Sequence, residues 1–227
     1  MTSPLATQLR PKLSRERIVD ALLSLARESP AAEVSFRTLG TALDVNATAV
    51  YRHFRDKDEL YRAAVDRLYT EALARVDRSE PSWRARLAQY ATALAHTFIE
   101  APAIGQLAPL IDGRGAGELA SIDFLLEALE EAGLAEPDII IAYGAFSGHT
   151  LALSAGMARE LSREPGRAAR GQDDLEPADA PWIKALDAHS LARFPRVLTR
   201  QMALLSLTTF EVYEAGVQAI LDSISPR

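Results

Sequence analysis

The chain has 227 residues, of which 48% are hydrophobic and 25% charged, and its formal net charge at pH 7 is −6. This composition excludes a disordered chain and a collagen-like rod, and the length allows one large domain or two small ones, of which two is the interpretation we favour. The absence of cysteine excludes disulfide frameworks, thiolate zinc sites and cysteine enzymes, and it suits a reducing compartment.

Charge is unevenly distributed along the chain. Residues 1–75 contain twelve Lys and Arg against ten Asp and Glu, whereas residues 76–227 contain thirteen against twenty-one. The acidic overall balance argues against non-specific coating of nucleic acid, but a locally positive N-terminal part can still meet phosphate. Residues 1–13 are predicted to form a flexible basic arm. They contain no apolar core of the kind a signal peptide needs, so we expect a cytoplasmic protein.

The spacing of apolar residues is helical almost throughout, which predicts an all-α fold. The N-terminal part contains four apolar stripes with helical spacing. Each is preceded by a residue whose side chain makes a good N-cap: Ser14, Ser35, Asn46 and Asp56. Asp56 and Glu59 have the spacing of a capping box, and the helix that they open is expected to run to about residue 76. Residues 14–76 are therefore predicted to form one helical domain.

A second, larger domain is predicted over residues 81–227, beginning at Pro81. Amphipathic helices are expected near residues 83–98 and 118–132, the latter ending at Gly133, and a long helix is expected to begin at Pro137. A loop rich in proline and charge is predicted over residues 162–181. The last helix should begin with a capping box formed by Thr208 and Glu211.

The long helix contains an unusual segment, because residues 139–158 include no Asp, Glu, Lys or Arg. Such a length of uncharged sequence would span a membrane. Three glycines, several polar residues and the acidic Glu136 and Asp138 just before the segment argue against that alternative, so no membrane partner is predicted. The remaining explanation is a helix buried on all sides by its own domain and a second subunit.

The sequence therefore predicts a homodimer. Gly144 and Gly148, four residues apart, would let another helix approach closely, and the last helix has an apolar stripe broad enough to need a partner surface. The predicted dimerisation residues are Gly144, Gly148, Phe210, Tyr213, Val217 and Leu221.

Residues 35–57 have the pattern of two short helices joined by a tight turn, which is the helix-turn-helix arrangement. The second of these helices has a slim outer face that would fit the major groove of DNA, with Ala47, Thr48 and Ala49 beside Tyr51. The alternative is a helix pair that only packs in an all-α core, and the residues alone leave both interpretations open. For His53 a structural role is the favoured interpretation.

One stretch resembles a known family. The run LGTALDVNATAVYRHFRDKDEL at residues 39–60, preceded by RERIVDAL at residues 15–22, is similar to the DNA-binding domain of the tetracycline-repressor (TetR) family of bacterial regulators. The resemblance covers about residues 14–75. It implies an N-terminal helix-turn-helix domain in which the following residues lie at the groove or on backbone phosphate: Arg37, Ala47, Thr48, Ala49, Tyr51, His53 and Lys57.

The rest of the chain resembles the C-terminal domain of the tetracycline repressors more faintly, at residues 82–84, 142–151 and 210–216. That resemblance implies an effector-binding and dimerisation domain. Tetracycline repressors hold a magnesium-chelated drug with a histidine in the segment corresponding to residues 101–109, and APAIGQLAP contains none. A chelated tetracycline is therefore not the expected effector, and neither a metal site nor a cofactor is predicted.

The function expected from these observations is a transcriptional regulator, by family default a repressor, that binds a palindromic double-stranded DNA operator as a dimer. A small apolar or amphipathic effector should release it. Inward aromatic and polar residues of the second domain are the effector-binding candidates: Tyr90, Phe98, Phe124, Tyr143, Phe146, His149 and Met157. The alternative is an all-α small-molecule-binding protein or enzyme without a DNA-binding role, although no Walker loop, G-x-S-x-G or H-E-x-x-H motif supports an enzyme.

Overall fold

The computed structural model describes residues 12–29, 34–111, 115–163 and 193–224. Every regular element within these ranges is helical, which confirms the predicted all-α fold. The helices are α1 (Arg15–Glu28), α2 (Phe36–Ala42), α3 (Ala47–Tyr51), α4 (Lys57–Ala74), α5 (Trp83–Glu100), α6 (Pro102–Gly105), α7 (Ala116–Glu131), α8 (Glu136–Arg163), α9 (Pro195–Leu198), α10 (Gln201–Ser206) and α11 (Thr209–Ser223), with a 3-10 turn at Ala108–Leu110. The predicted arm up to residue 11 and the predicted loop beyond residue 163 lie outside the described residues.

Side-chain caps fix the starts of the N-terminal helices where the sequence predicts them. Ser35 Oγ accepts a hydrogen bond from the Thr38 amide at 3.0 Å, and Asp56 Oδ1 accepts one from the Glu59 amide at 2.7 Å. The capping box predicted at α4 is only half formed, because the Glu59 carboxylate accepts from the main chain of Arg55 instead of Asp56. The capping box predicted at the last helix is complete.

The core is continuous from the first helix to the last. Helix α5 lies at its centre and packs against α4, α7, α8 and α11. The largest fully buried side chains come from both halves of the chain, for example Phe54 from the N-terminal part and Phe98 and Phe146 from the C-terminal part. Helix α4 contributes to the core of both the N-terminal and the C-terminal part, because it packs on α1 on one side and on α5 and α7 on the other.

Helix α8 is only partly covered by the described part of its own chain. Among the described residues it is the one helix long and apolar enough to cross a membrane by length and composition, and 28% of its most apolar window is buried. Ile140 and Ile141 are 56% and 69% exposed, and Gly144, Ala145 and Gly148 are exposed as well. An apolar surface of this extent needs a further partner.

Candidate nucleic-acid interface and ligand cavity

The turn between α2 and α3 is held by main-chain contacts that only a few residues permit. The Val45 amide donates to the Gly40 carbonyl at 2.8 Å, and Asp44 between them adopts φ 53°, in the left-handed region that aspartate tolerates better than most residues. A Cβ at Gly40 would lie 2.8 Å from the Val45 carbonyl oxygen and 3.1 Å from the Ala47 nitrogen. Glycine therefore allows α2 and α3 to approach as closely as they do.

Helix α3 presents a slim face to solvent. Asn46 caps it by accepting from the Thr48 amide at 3.0 Å, and Thr48 is exposed. Ala47 and Ala49 are half-buried beside it. Val50 is fully buried and fixes the rotation of the helix. The outer surface therefore consists of small side chains, as a helix that enters the major groove requires.

The larger predicted groove residues border this surface. Tyr51 is 58% exposed and its ring meets that of Phe36 edge-on, with 4.4 Å between centroids. Arg37 is exposed on the first turn of α2. His53 is half-buried just beyond α3, and the Nζ atom of Lys57 lies 5.2 Å from the centroid of the Tyr61 ring. The structure thus gathers the seven predicted residues on or beside one unit, the reading unit (residues 35–57).

Arg15 anchors the reading unit to α1 and α4. Its guanidinium lies 4.1 Å from the centroid of the Phe54 ring, donates to the His53 carbonyl and donates to Glu59 Oε1 at 2.8 Å. Glu59 Oε2 accepts from the Arg55 amide at 2.9 Å. The Arg55 amide, and after it Arg15, lower the pKa of Glu59 below its ordinary value, so the ionised carboxylate is the form that holds the contact.

Two further polar residues are exposed on the reading unit. Arg52 lies at the C-cap of α3, one turn after Thr48, and Thr38 lies next to Arg37 on α2. Arg52 shares a face with Thr48 because residues four apart lie on the same side of a helix.

A cavity of about 180 Å³ lies among α4, α5, α7 and α8. Tyr90 and Tyr143 line it, as predicted for the effector site, together with Tyr69 and Glu118, which the sequence did not indicate. A larger cleft of about 560 Å³ lies beside it, between α1, α4 and the start of α7. Tyr69 and Glu118 line both spaces, so the cavity and the cleft are neighbours.

Burial dominates the protonation chemistry of the cavity. It raises the pKa of Tyr90 to about 12, and it also raises the pKa of Tyr69 above its ordinary value. Burial, followed by the nearby carboxylate of Asp66, raises the pKa of Glu118. Ser121 is 2% exposed, and its hydroxyl has no partner with hydrogen-bond geometry although it faces Tyr90. The cavity therefore contains polar groups that are poorly solvated.

The other five effector candidates lie outside the lining of this cavity. Phe98, Phe146 and Met157 are buried in the hydrophobic core and do not line the cavity. Phe124 supports the cavity from behind, because its ring packs 5.7 Å from that of Tyr90. His149 stacks on Tyr213 of α11, and its Nε2 lies 3.0 Å from the Tyr213 carbonyl oxygen.

The dimerisation candidates divide into exposed residues of α8 and buried or half-buried residues of α11. Gly144 and Gly148 are exposed, and a Cβ at either would meet no heavy atom of the chain within 4 Å, although both also border the cavity. Tyr213, Val217 and Leu221 are instead buried within the chain, where the Tyr213 hydroxyl donates to the Ala91 carbonyl at 2.6 Å. That face of α11 packs on α5 and α8 of its own chain, and the dimerisation role of these three residues stays a prediction. The remaining candidate is half-buried: Phe210.

The start of α7 is capped by a residue of α4. Asp66 Oδ1 accepts a hydrogen bond from the Glu118 amide at 2.9 Å, while the N-cap residue Gly115 offers no side chain. A Cβ at Gly115 would lie 2.0 Å from Asp66 Oδ1, and one at Gly117 would lie 2.3 Å from the Asp66 carbonyl oxygen. We call this contact the α4–α7 joint (Asp66, Gly115, Gly117 and Glu118). It connects the helix behind the reading unit to a wall of the cavity.

A helix-turn-helix with a slim, exposed second helix, attached to a larger helical part that contains a cavity, defines a helix-turn-helix regulatory protein. Comparison with known proteins agrees. The family profile described as "Bacterial regulatory proteins, tetR family" matches residues 18–64, and the profile described as "Tetracyclin repressor-like, C-terminal domain" matches residues 77–227. The chain belongs to the tetR family, and it is a helix-turn-helix transcriptional regulator.

Individual relatives support this assignment. An HTH-type transcriptional regulator of Saccharopolyspora erythraea is 28% identical over 145 residues, which are 64% of this chain, so that the chain spans 61% of that relative's length. An HTH-type transcriptional repressor of Mycobacterium tuberculosis is 28% identical over an alignment of 223 positions, gaps included, that covers 94% of this chain and 80% of the relative. The structure of the Streptomyces coelicolor TetR family protein ActR in complex with actinorhodin has 21% identity and a TM-score of 0.70, covering 94% of this chain and 97% of ActR, and it shows the same fold.

Proposed function

We propose that the chain is a cytoplasmic repressor that binds a palindromic operator as a homodimer and is released by a small apolar or amphipathic effector. The observation that carries this proposal is the continuous path from the reading unit through α4 to the cavity, by way of the α4–α7 joint. The relative in Mycobacterium tuberculosis is named a repressor, and ActR was crystallised with a small molecule. No catalytic step forms part of the proposal.

The reading unit is part of a DNA-binding domain over residues 14–76. Arg37 and Tyr51 reach base edges or phosphates from either side of α3, and the slim surface of Ala47, Thr48 and Ala49 enters the major groove. Lys57, at the first position of α4, contributes a charge next to a helix N-terminus, where phosphate is favoured. His53 borders the groove at the end of α3.

The larger domain, residues 81–227, holds the second copy. The exposed face of α8 is lined by Ile141, Ala145, Gly148 and Ala152, and most of it has no cover from residues 12–29, 34–111, 115–163 and 193–224. The exposed face of α11 adjoins it, with Val212 41% exposed. Two copies related by a two-fold axis bury these faces against each other and place their reading units about 34–36 Å apart, the distance between successive major grooves.

The effector occupies the cavity lined by Tyr90 and Tyr143. Its arrival displaces α7 or α8, and the α4–α7 joint passes the movement to α4 because Asp66 is hydrogen-bonded to the first turn of α7. Helix α4 follows the reading unit directly, so a small tilt changes the separation of the two units of the dimer. A typical allosteric coupling is about 1–3 kcal/mol for each effector, and a near-complete switch needs about 5.5 kcal/mol, which two effectors per dimer could supply.

The test is to recover an operator by selecting random duplex DNA on the protein and then to compare two arginine variants. Arg37→Ala should weaken binding of the recovered duplex by about 1–3 kcal/mol if the contact is a bidentate one to guanine. The matched control is Arg163→Ala, which removes the same charge from the exposed end of α8. Fluorescence anisotropy of the labelled duplex measures both affinities.

Two results would contradict the proposal. If no duplex is enriched over non-specific DNA, the chain is not an operator-binding protein. If Arg37→Ala and Arg163→Ala bind the recovered operator equally well, Arg37 has no place at the groove. Sedimentation of both variants at the wild-type size shows that any loss of binding is not a loss of the dimer.

A further inference from the structure

The cavity has an unusual charge pattern for a space that holds a small molecule. Three tyrosines from three different helices line it: Tyr69 of α4, Tyr90 of α5 and Tyr143 of α8. Glu118 of α7 is the one charged residue on its wall among the described residues, where neither lysine, arginine nor histidine is found. Aromatic rings and a carboxylate without a base describe a site with negative potential.

These groups converge on one another. All four side chains line the same cavity. Burial raises the pKa of both Tyr69 and Tyr90, and the Glu118 carboxylate and Tyr143 raise it further. Ser121 adds a buried hydroxyl without a well-placed partner on the same wall. A ligand that enters here meets rings, hydroxyl oxygens and a carboxylate.

The surroundings do not neutralise this potential. Asp66 on α4 faces Glu118 and adds to the negative field. The neighbouring cleft contains two arginines. Arg15 is paired with Glu59 at 2.8 Å, and Arg62 is exposed to solvent and lies within electrostatic reach of Asp56. An anionic ligand would therefore be repelled from the cavity, whereas a cation would offset the cost of burying Glu118.

We propose that the effector carries a cationic nitrogen on an aromatic or apolar body, and that Glu118 receives the cation while the tyrosine rings surround it. This inference rests on the proposed function only in calling the ligand an effector. It makes Glu118 the specificity-determining residue of the cavity. Because Glu118 also supplies the amide that Asp66 caps, the cation is bound at the α4–α7 joint itself.

The experiment uses three aryl probes of similar size: 2-phenylethylamine as the cation, 2-phenylethanol as the neutral compound and phenylacetate as the anion. Their affinities for the full-length, DNA-free protein are measured by calorimetry and by chemical-shift titration. We expect the affinity order amine, alcohol, carboxylate. Glu118→Gln should lower the affinity for the amine by roughly tenfold and leave the alcohol nearly unchanged, since it removes the charge but not the volume.

Glu130→Gln is the matched control, because Glu130 is exposed on the same helix and does not line the cavity. The proposal is overturned if phenylacetate binds more tightly than the amine, if Glu118→Gln and Glu130→Gln bind the amine equally, or if the amine shows no saturable binding at millimolar concentration. Operator binding of the wild type is measured separately. If the wild type binds no operator, the proposed function is contradicted, but the affinity order of the three probes is unaffected.

Discussion

Replacing Gly117 by alanine should force α4 and α7 apart, whereas the same change at Gly156 should be accepted without movement. A Cβ at Gly117 would lie 2.3 Å from the Asp66 carbonyl oxygen and 2.4 Å from Thr70 Oγ1, whereas one at Gly156 meets no heavy atom within 4 Å. The first obstacle at Gly117 is backbone, so no change of side-chain rotamer removes it. The two helices must separate, and the hydrogen bond from the Glu118 amide to Asp66 is strained with them.

The size of the effect follows from three contributions. Overpacking costs about 1–3 kcal/mol. Loss of a helix cap costs about 1 kcal/mol. The gain from replacing glycine in a helix is at most about 1 kcal/mol. Gly117→Ala should therefore lower the free energy of unfolding by about 1–3 kcal/mol, whereas Gly156→Ala should raise it by up to about 1 kcal/mol. For a chain of this size each kcal/mol shifts Tm by about 2–4 °C.

Urea unfolding followed by circular dichroism, with all variants at one protein concentration, measures these differences; the fixed concentration matters because dimer stability depends on it. Gly117→Ala should also bind the selected operator more weakly than Gly156→Ala, since α4 follows the reading unit. Equal stability of the two variants would refute the close approach at the α4–α7 joint. Lower stability with unchanged operator affinity would refute its role in positioning the reading unit.

Two further predictions concern the joint and the dimer surface. Asp66→Ala should lower the free energy of unfolding by about 1–2 kcal/mol through loss of the cap on α7, and Asp66→Asn, which keeps an acceptor, should lose less than half as much; urea midpoints of the two variants that coincide with the wild type would contradict this. Gly148→Leu should leave the circular dichroism spectrum unchanged, because its own chain offers room there, but should yield monomers in sedimentation velocity. An intact dimer would remove this face of α8 from the interface.

The start of a helix could be predicted from the sequence where the capping side chain belongs to a residue next to that helix. The caps at Ser14, Ser35 and Asn46 lie two or three residues from the amides that they accept from, and Gly133 takes the left-handed conformation expected after α7. These are short-range contacts that a sequence displays directly. The reading unit was predictable for the same reason, since its turn and both its helices lie within residues 35–57.

The cap of α7 could not be predicted in this way. Its acceptor, Asp66, is 52 residues from Glu118 in the chain and lies in the middle of a helix with an ordinary amphipathic pattern. No spacing rule connects a carboxylate on one helix to the first turn of another. The glycines at positions 115 and 117 make room for Asp66, which only the packing of the two helices reveals.

Helix α8 shows why an apolar pattern predicts burial without naming the partner. Phe146 and Thr150 face the core, Tyr143 and Ser147 face the cavity on one flank, and His149 meets α11 on the other. The outermost residues then form a fourth face that the described helices leave uncovered, and a second copy can bury it. The helical period of about 3.6 residues shows from the sequence that several faces of α8 are apolar, but not which face contacts a ligand and which a second copy. The packing of α5, α7 and α11 on the helix distinguishes these faces. Gly144 and Gly148 border both the cavity and the uncovered face. In the dimer proposed above, a ligand in the cavity and a second copy would contact adjoining surfaces of one helix, so effector binding would alter the geometry of the dimer as well as that of α4.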